Sequence, residues 1–267
     1  MSAPNQSNKK KAIDYMKKEE IIKKLNDNFR RQYRLADCFK DCVGLRQSPL
    51  VNQTLEKYPN SLFSKIYSDV MSSKSIIEMK SNIQRASGFD QKELYRTIAE
   101  EVLEIALKHI HVGIKKIDNK PQASIHLRLG DVVPSKLTDK NTHHYFTPLS
   151  TFEKKITTLK EYLGNSNTVE LFCGLHTNSE EKTNLSADYI VKLINLLKKY
   201  RINSTCCFLG PDASFLRMVS SSALVYGNSG YGQLAAFICN KIGNKSYYIG
   251  TNNQKFSSIG IFNTIND

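Results

Sequence analysis

Two segments of this 267-residue chain carry residue types that can do chemistry. In the first, His126-Leu127-Arg128-Leu129-Gly130-Asp131, a histidine and an arginine sit two apart inside an apolar run. On a strand that spacing puts both side chains on one face, with Ile125, Leu127 and Leu129 on the other. A buried face tolerates an imidazole and a guanidinium only if a ligand or a strong pair satisfies them. Asp131, just past the expected strand end, is placed to pair with Arg128. A structural Arg–Asp pair and a ligand site are equally good readings of this segment alone.

The second segment is Tyr226-Gly227-Asn228-Ser229-Gly230-Tyr231-Gly232. An apolar strand ends, three glycines fall within six residues, and a helix begins. Such a turn lets backbone N–H groups approach an anion at the positive end of a helix. Ser229 is placed to cap that helix or to bind phosphate. The segment lacks the Gly-Lys-Ser/Thr of a Walker A loop and the spacing of GxGxxG. Glycine is also what any tight strand-to-helix junction favours.

The elements that must position these segments follow from hydrophobic periodicity. From residue 123 onward, strands and helices alternate. Strands are expected at 123–129, 169–173, 204–209, 223–226 and 246–249. Helices are expected at 148–163, 186–200, 213–219 and 232–242. Turns of a few residues between them imply a parallel sheet covered on both faces, a Rossmann-like arrangement whose ligands bind beyond the carboxyl ends of the strands. Residues 13–120 read differently. Ile21, Ile22, Leu25 and Phe29 form one helical stripe, and Leu94, Ile98, Val102, Ile105 and His109 another over 91–111. A third helix follows Pro59, and short segments at 50–51 and 75–77 are the places where strands are expected. The division is thus a basic tail at 1–12, expected to be disordered, a mainly helical unit at 13–120, and a Rossmann-like unit at 121–267, the last two joined through 118–122.

The six-residue segment resembles the HxRxGD motif shared by the α1,2, α1,6 and protein O-fucosyltransferase groups, enzymes that use GDP-fucose. The glycine-rich segment resembles the α1,2 group in particular (glycosyltransferase family 11), whose donor domain ends in a pattern close to N-S-S-F-S-W-W-A-A. Here the same register reads Asn228-Ser229-Gly230-Tyr231-Gly232-Gln233-Leu234-Ala235-Ala236. Asp212 stands upstream, where an acidic residue precedes this segment in the family. The resemblance spans about residues 123–250. The chain departs from it in having no Trp, and in carrying Gly174-Leu175-His176-Thr177 where acidic residues are common.

The resemblance implies a two-lobed fold of the GT-B type, α/β in class, with the smaller helical unit on the acceptor side. It implies inverting, metal-independent transfer of fucose from GDP-fucose to a hydroxyl of a glycan or glycoconjugate, with no cofactor beyond that donor substrate. Arg128 would neutralise the departing diphosphate, His126 would contact diphosphate or sugar, and Asp131 would orient Arg128; these three form the expected catalytic group. Donor contacts would further include Gly130, His176, Thr177, Asp212, Asn228, Ser229, Gly230, Tyr231 and Gly232. Asp212 reads equally well as a helix N-cap after Gly210-Pro211. No general base is assigned; His143 and His144 lie on the polar loop where one could sit. His109 and His111, near the end of an amphipathic helix, are expected to be structural.

Composition sets the alternatives. The net charge is +13, and residues 1–34 hold ten Lys/Arg against four Asp/Glu. That arm is expected to be solvated or to make weak peripheral contact with an acidic surface. Specific nucleic-acid binding is not expected, because Lys9-Lys10-Lys11 has no interleaved aromatics. The two other readings are a catalytically degenerate GDP- or nucleotide-sugar-binding protein and a basic nucleic-acid-binding or scaffold protein. The polar start lacks the apolar core of a signal peptide, and no run approaches the roughly 18 apolar residues of a membrane span, so a soluble cytoplasmic protein is expected. The six cysteines include no CxxC pair, which favours buried free thiols over zinc.

Overall fold

A computed structural model of the chain describes residues 17–27, 50–135, 143, 145–163, 168–175 and 179–250. Among them five parallel strands form one sheet: β1 (Ala123–Leu129), β2 (Thr168–Leu175), β3 (Asn203–Cys207), β4 (Ala223–Tyr226) and β5 (Lys245–Tyr248), in spatial order β3-β2-β1-β4-β5. The crossovers are helical: α6 (Leu149–Leu163), α7 (Glu180–Lys199), α8 (Pro211–Val219) and α9 (Gly230–Lys241). The α/β class and the Rossmann-like parallel sheet expected from the alternation are therefore present. The chain builds outward from β1 to β3, then returns past β2 and β1 to place β4 on the other side. The strand order reverses between β1 and β4, and ligands bind at such a switch point in open α/β sheets.

Among the described residues five helices precede the sheet: α1 (Lys18–Asp27), α2 (Leu50–Lys57), α3 (Leu62–Ser72), α4 (Lys74–Ile83) and α5 (Phe89–Ile114). Residues 50–51 and 75–77, expected as strands, lie inside α2 and α4. The cause at α4 is visible: Ser73, with φ −69° and ψ 119°, accepts the Ile76 N–H and starts a helix with Ile76 on its buried side. A run of two or three apolar residues is too short to distinguish a period of 2 from one of 3.6.

Two apolar clusters lie on the two faces of the sheet. Ile125, Leu127 and Leu129 of β1 join Val169 and Leu171 of β2 and Val225 of β4 against α6, α7 and the Ile21 and Leu25 side chains of α1. Phe172, Leu224 and Tyr226 join the other cluster, with α8, α9 and residues of α2 to α5. Asn119 turns the chain between α5 and β1 at φ 50°, but the apolar interior continues across that turn. The helices before β1 thus cover both faces, α1 one and α2 to α5 the other. Among the described residues no helix is long and apolar enough to cross a membrane.

Helix ends carry the expected signals. Ser179 caps α7, whose first turn holds Glu180 and Glu181 and whose last turn holds Lys198 and Lys199, matching the helix dipole. Pro211 opens α8, where its fixed φ and missing N–H cost nothing. Cys239 is a buried free thiol, while Cys173, Cys206 and Cys207 are free but half-buried.

Candidate functional site

On the face opposite Ile125, Leu127 and Leu129, β1 presents Ser124, His126 and Arg128. A central strand that is apolar on one face and polar on the other is what the alternation predicted. Arg128 lies opposite Gly174 of β2, near the carboxyl end of both strands. Its side chain is 11% exposed, and its Nη2 donates to Asp131 Oδ2 at 3.0 Å and Oδ1 at 3.3 Å. The predicted pair is present. It engages one end of the guanidinium, while Nε is enclosed and has no hydrogen-bond acceptor among the described residues. Leaving a buried donor unpaired costs on the order of 1–3 kcal/mol. The Tyr145 ring lies 5.5 Å from the guanidinium carbon, within cation–π range.

Gly130 follows the strand at φ 82°, a conformation that an L side chain resists. Its carbonyl accepts the Val133 N–H at 3.0 Å, and its own N–H donates to Ser186 Oγ on α7 at 3.1 Å. The turn that aims Asp131 back at Arg128 is thereby tied to a helix on the other face of the sheet.

Ser229 is the N-cap of α9. Its Oγ accepts the Gly232 N–H at 3.0 Å and lies 3.3 Å from His126 Nδ1. The direction of the Ser229–His126 hydrogen bond follows the tautomer of the ring. The ends of β1 and β4 therefore meet at the switch point through the His126–Ser229 contact. Gly232 is required by the same approach, since a Cβ there would lie 2.7 Å from His126 Nδ1. The Tyr231 ring is 5.5 Å from the His126 ring, and its hydroxyl donates to the Pro211 carbonyl at 2.5 Å, linking the first turns of α8 and α9. Gly230, half-buried, is the first residue of α9.

Asn228 is 5% exposed; its Oδ1 accepts the Tyr248 hydroxyl and its carbonyl accepts Gln233 Nε2 at 3.3 Å. It fixes the turn from within. Burial and the neighbouring Tyr248 push the Tyr226 hydroxyl up to about 12, so it stays protonated at neutral pH.

Asp212 sits in the first turn of α8 and accepts the Leu62 N–H at 2.6 Å, at the amino end of α3. Its carboxylate caps a helix, and that helix is α3 rather than its own. His143 accepts the Tyr145 N–H at Nδ1, 3.2 Å away, which places the proton of neutral His143 on Nε2. His109 pairs with Asp69 Oδ2 at 2.7 Å, a contact between α5 and α3. His144, His176 and Thr177, and the arm at 1–12, lie outside the described residues.

Tyr145, Tyr248 and Thr147 line or support the turns without having been singled out in the sequence. Thr147 Oγ1 would lie 2.7 Å from a Cβ at Gly227, so this glycine too is set by a close approach. Nothing local marks these three residues, because each acts on a partner distant in the chain. Compared with known proteins, the chain matches no family model, no curated protein and no solved structure.

Proposed function

We propose that the chain binds a nucleoside-diphosphate sugar at the β1/β4 switch point and transfers the sugar to a hydroxyl, with fucose of GDP-fucose as the donor sugar and a glycan as the acceptor. The observation that carries this reading is the contact of His126 with the Ser229 cap of α9 where the strand order reverses, with Arg128 two residues further along the same face of β1. A cation with an unpaired buried N–H and the amino end of a helix are together suited to a diphosphate. The finer identity, fucose and guanine, rests on the HxRxGD and Asn228–Ala236 resemblance.

In this reading Arg128 faces the diphosphate, whose negative charge grows as the bond to the sugar breaks, so the guanidinium stabilises the transition state more than the ground state. Asp131 holds Nη2 and so orients the fork. His126 contacts a phosphate or sugar oxygen, and the α9 amino end adds backbone donors. The sheet with α6 to α9 serves as the donor unit of a GT-B-type enzyme, and the helices before β1 flank it. His143 would act through its Nε2 proton as a donor at the rim.

A thermal-shift series with GDP, UDP, ADP and their sugars tests the reading. A ligand at a hundredfold excess over its Kd stabilises a fold by about 2.7 kcal/mol. GDP and GDP-fucose are expected to give the shift and Arg128→Ala to abolish it. A shift with another nucleotide alone rejects the fucose assignment. Binding of GDP without release of GDP from GDP-fucose in the presence of glycan acceptors would assign a binding protein instead.

A further inference from the structure

Between α3, α5 and α8 lies a cleft of about 520 Å³. That volume is in the range of sites for small organic ligands. Its floor forms because Gly113 of α5 has no side chain: a Cβ there would lie 2.7 Å from Leu216 Cδ1 of α8. Leu216 therefore seats against the α5 backbone and presents an apolar surface. Val112 and Leu209 line the cleft and are 55% and 44% exposed. Only four large apolar side chains are so exposed among the described residues, and two of them face this one cleft.

The charged lining is unbalanced. It holds Lys65, Lys116 and Arg217 against Asp118 and Asp212. Arg217 is held by Glu170, and Asp212 by the Leu62 N–H. His109, also in the lining, is held by Asp69. Lys65 on α3 and Lys116 just past α5 are exposed and make no ion pair among the described residues; the Asp118 carboxylate makes none either, so the uncommitted groups leave a net single positive charge. An apolar floor with two uncommitted ammonium groups at its rim matches a ligand with an apolar body and one acidic group.

We propose that this cleft is a second binding site, for a small amphipathic anion such as a medium-chain carboxylate. Its acidic group would lie at Lys65 and Lys116, and its body on Leu216 between Val112 and Leu209. The site does not depend on the donor reading, because Lys65 and Lys116 are not among the expected donor contacts, although Asp212 lies in the same lining.

Anilinonaphthalene sulfonate, a fluorescent apolar anion, is the probe for the full-length protein. Saturable enhancement with one probe per chain is expected. Octanoate should displace the probe at concentrations where octanol does not. The double variant Lys65→Glu/Lys116→Glu should weaken binding by about tenfold or more, since charge-assisted contacts of this kind are worth at least that factor. Both positions are exposed, so the thermal midpoint of the variant reports that it is folded. A variant with a lowered midpoint is replaced by Lys65→Gln/Lys116→Gln, for which the same weakening is expected. Arg128→Ala should leave probe binding unchanged. The proposal is overturned by absence of saturable binding, by unchanged affinity in the folded lysine variants, or by equal displacement with octanol. Displacement by GDP together with loss in Arg128→Ala would also overturn it, because the cleft would then belong to the donor site.

Discussion

Gly232 of α9 and His126 of β1 stand so close that a single methyl on the glycine would reach 2.7 Å from His126 Nδ1. At an ordinary first-turn position, Gly→Ala stabilises a helix by up to about 1 kcal/mol. Here the neighbour is a ring 8% exposed that also contacts Ser229, so it has little room to yield. Overpacking of about 1–3 kcal/mol outweighs the helix gain. Gly232→Ala is expected to lower the melting temperature and to weaken nucleotide binding together. An unchanged or raised melting temperature would show that the contact does not constrain the site.

Ser229 joins two roles in one oxygen, the cap of α9 and the contact to His126. Ser229→Ala should cost about 0.5–2 kcal/mol of stability through the cap alone. Asp at this position restores a cap but presents a carboxylate to any bound phosphate. Ser229→Asp is therefore expected to keep most of the stability while losing the GDP shift. Denaturant melts with and without nucleotide separate the two effects.

Much of this site is legible before any fold is known, and the reason is chemical. His126 and Arg128 stand out because charge at a period of 2 inside an apolar run is costly unless it is used. The α9 junction stands out because Gly227, Gly230 and Gly232 crowd a strand end. Asp212 shows where local reasoning stops. Its sequence context offers a cap or a nucleotide contact, and the structure gives it the amino end of α3, 150 positions earlier in the chain. Tyr145 under Arg128 and Tyr248 on Asn228 are equally invisible, since nothing near either residue names its partner. The strands expected at 50–51 and 75–77 failed for a different reason: β-branched residues in short runs carry a propensity that helix packing overrides.

Glu170 of β2 and Arg217 of α8 form a second pairing that no motif announces. Arg217 Nε donates to Glu170 Oε2 at 2.6 Å and Nη2 donates to Oε1 at 2.5 Å, a bidentate geometry, with 17% and 23% of the two side chains exposed. The guanidinium also donates to the carbonyls of Asp118 and Asn119, tying the turn before β1 to the sheet. Removing one member of a buried pair costs about 3–5 kcal/mol, and partial exposure lowers that here. Glu170→Ala and Arg217→Ala are each expected to destabilise by about 2–3 kcal/mol. The double variant should cost less than the two combined, because neither charge is left stranded. Strict additivity in urea melts would show that the two residues do not act as a pair.

Thiol reactivity should divide the four described cysteines. The hydrogen bond with Cys173 lowers the Cys206 thiol, aided by Lys24 and opposed by burial, whereas the same bond and burial raise Cys173. Burial pushes Cys239 and, together with Glu170, Cys207 up to about 12. The thiolate is the nucleophile, so a lowered thiol reacts first. Iodoacetamide at neutral pH, read by peptide mass mapping, is expected to label Cys206 ahead of Cys173, Cys207 and Cys239. Labelling of Cys239 at a comparable rate in the native protein would contradict this order.

The same upward shifts make stability fall at alkaline pH. Cys207 and Cys239 rise from an ordinary 9.0 to about 12, and Tyr226 from 10.0 to about 12. Below pH 9 all three are protonated in both folded and unfolded chains, and folding is indifferent to pH on their account. Above it the unfolded chain sheds these protons while the folded chain keeps them, so stability falls as pH rises. Each group contributes a slope of at most about 1.4 kcal/mol per pH unit, with less from half-buried Cys207, where water screens the charge. Urea melts between pH 8 and pH 11 are expected to show a fall that begins near pH 9 and steepens as the Tyr226 hydroxyl begins to titrate in the unfolded chain. Cys207→Ala/Cys239→Ala should make the part between pH 9 and pH 10 shallower, with the raised Cys173 keeping some of it, and leave the tyrosine part above it. A slope unchanged by that double variant would place the alkaline transition elsewhere in the chain.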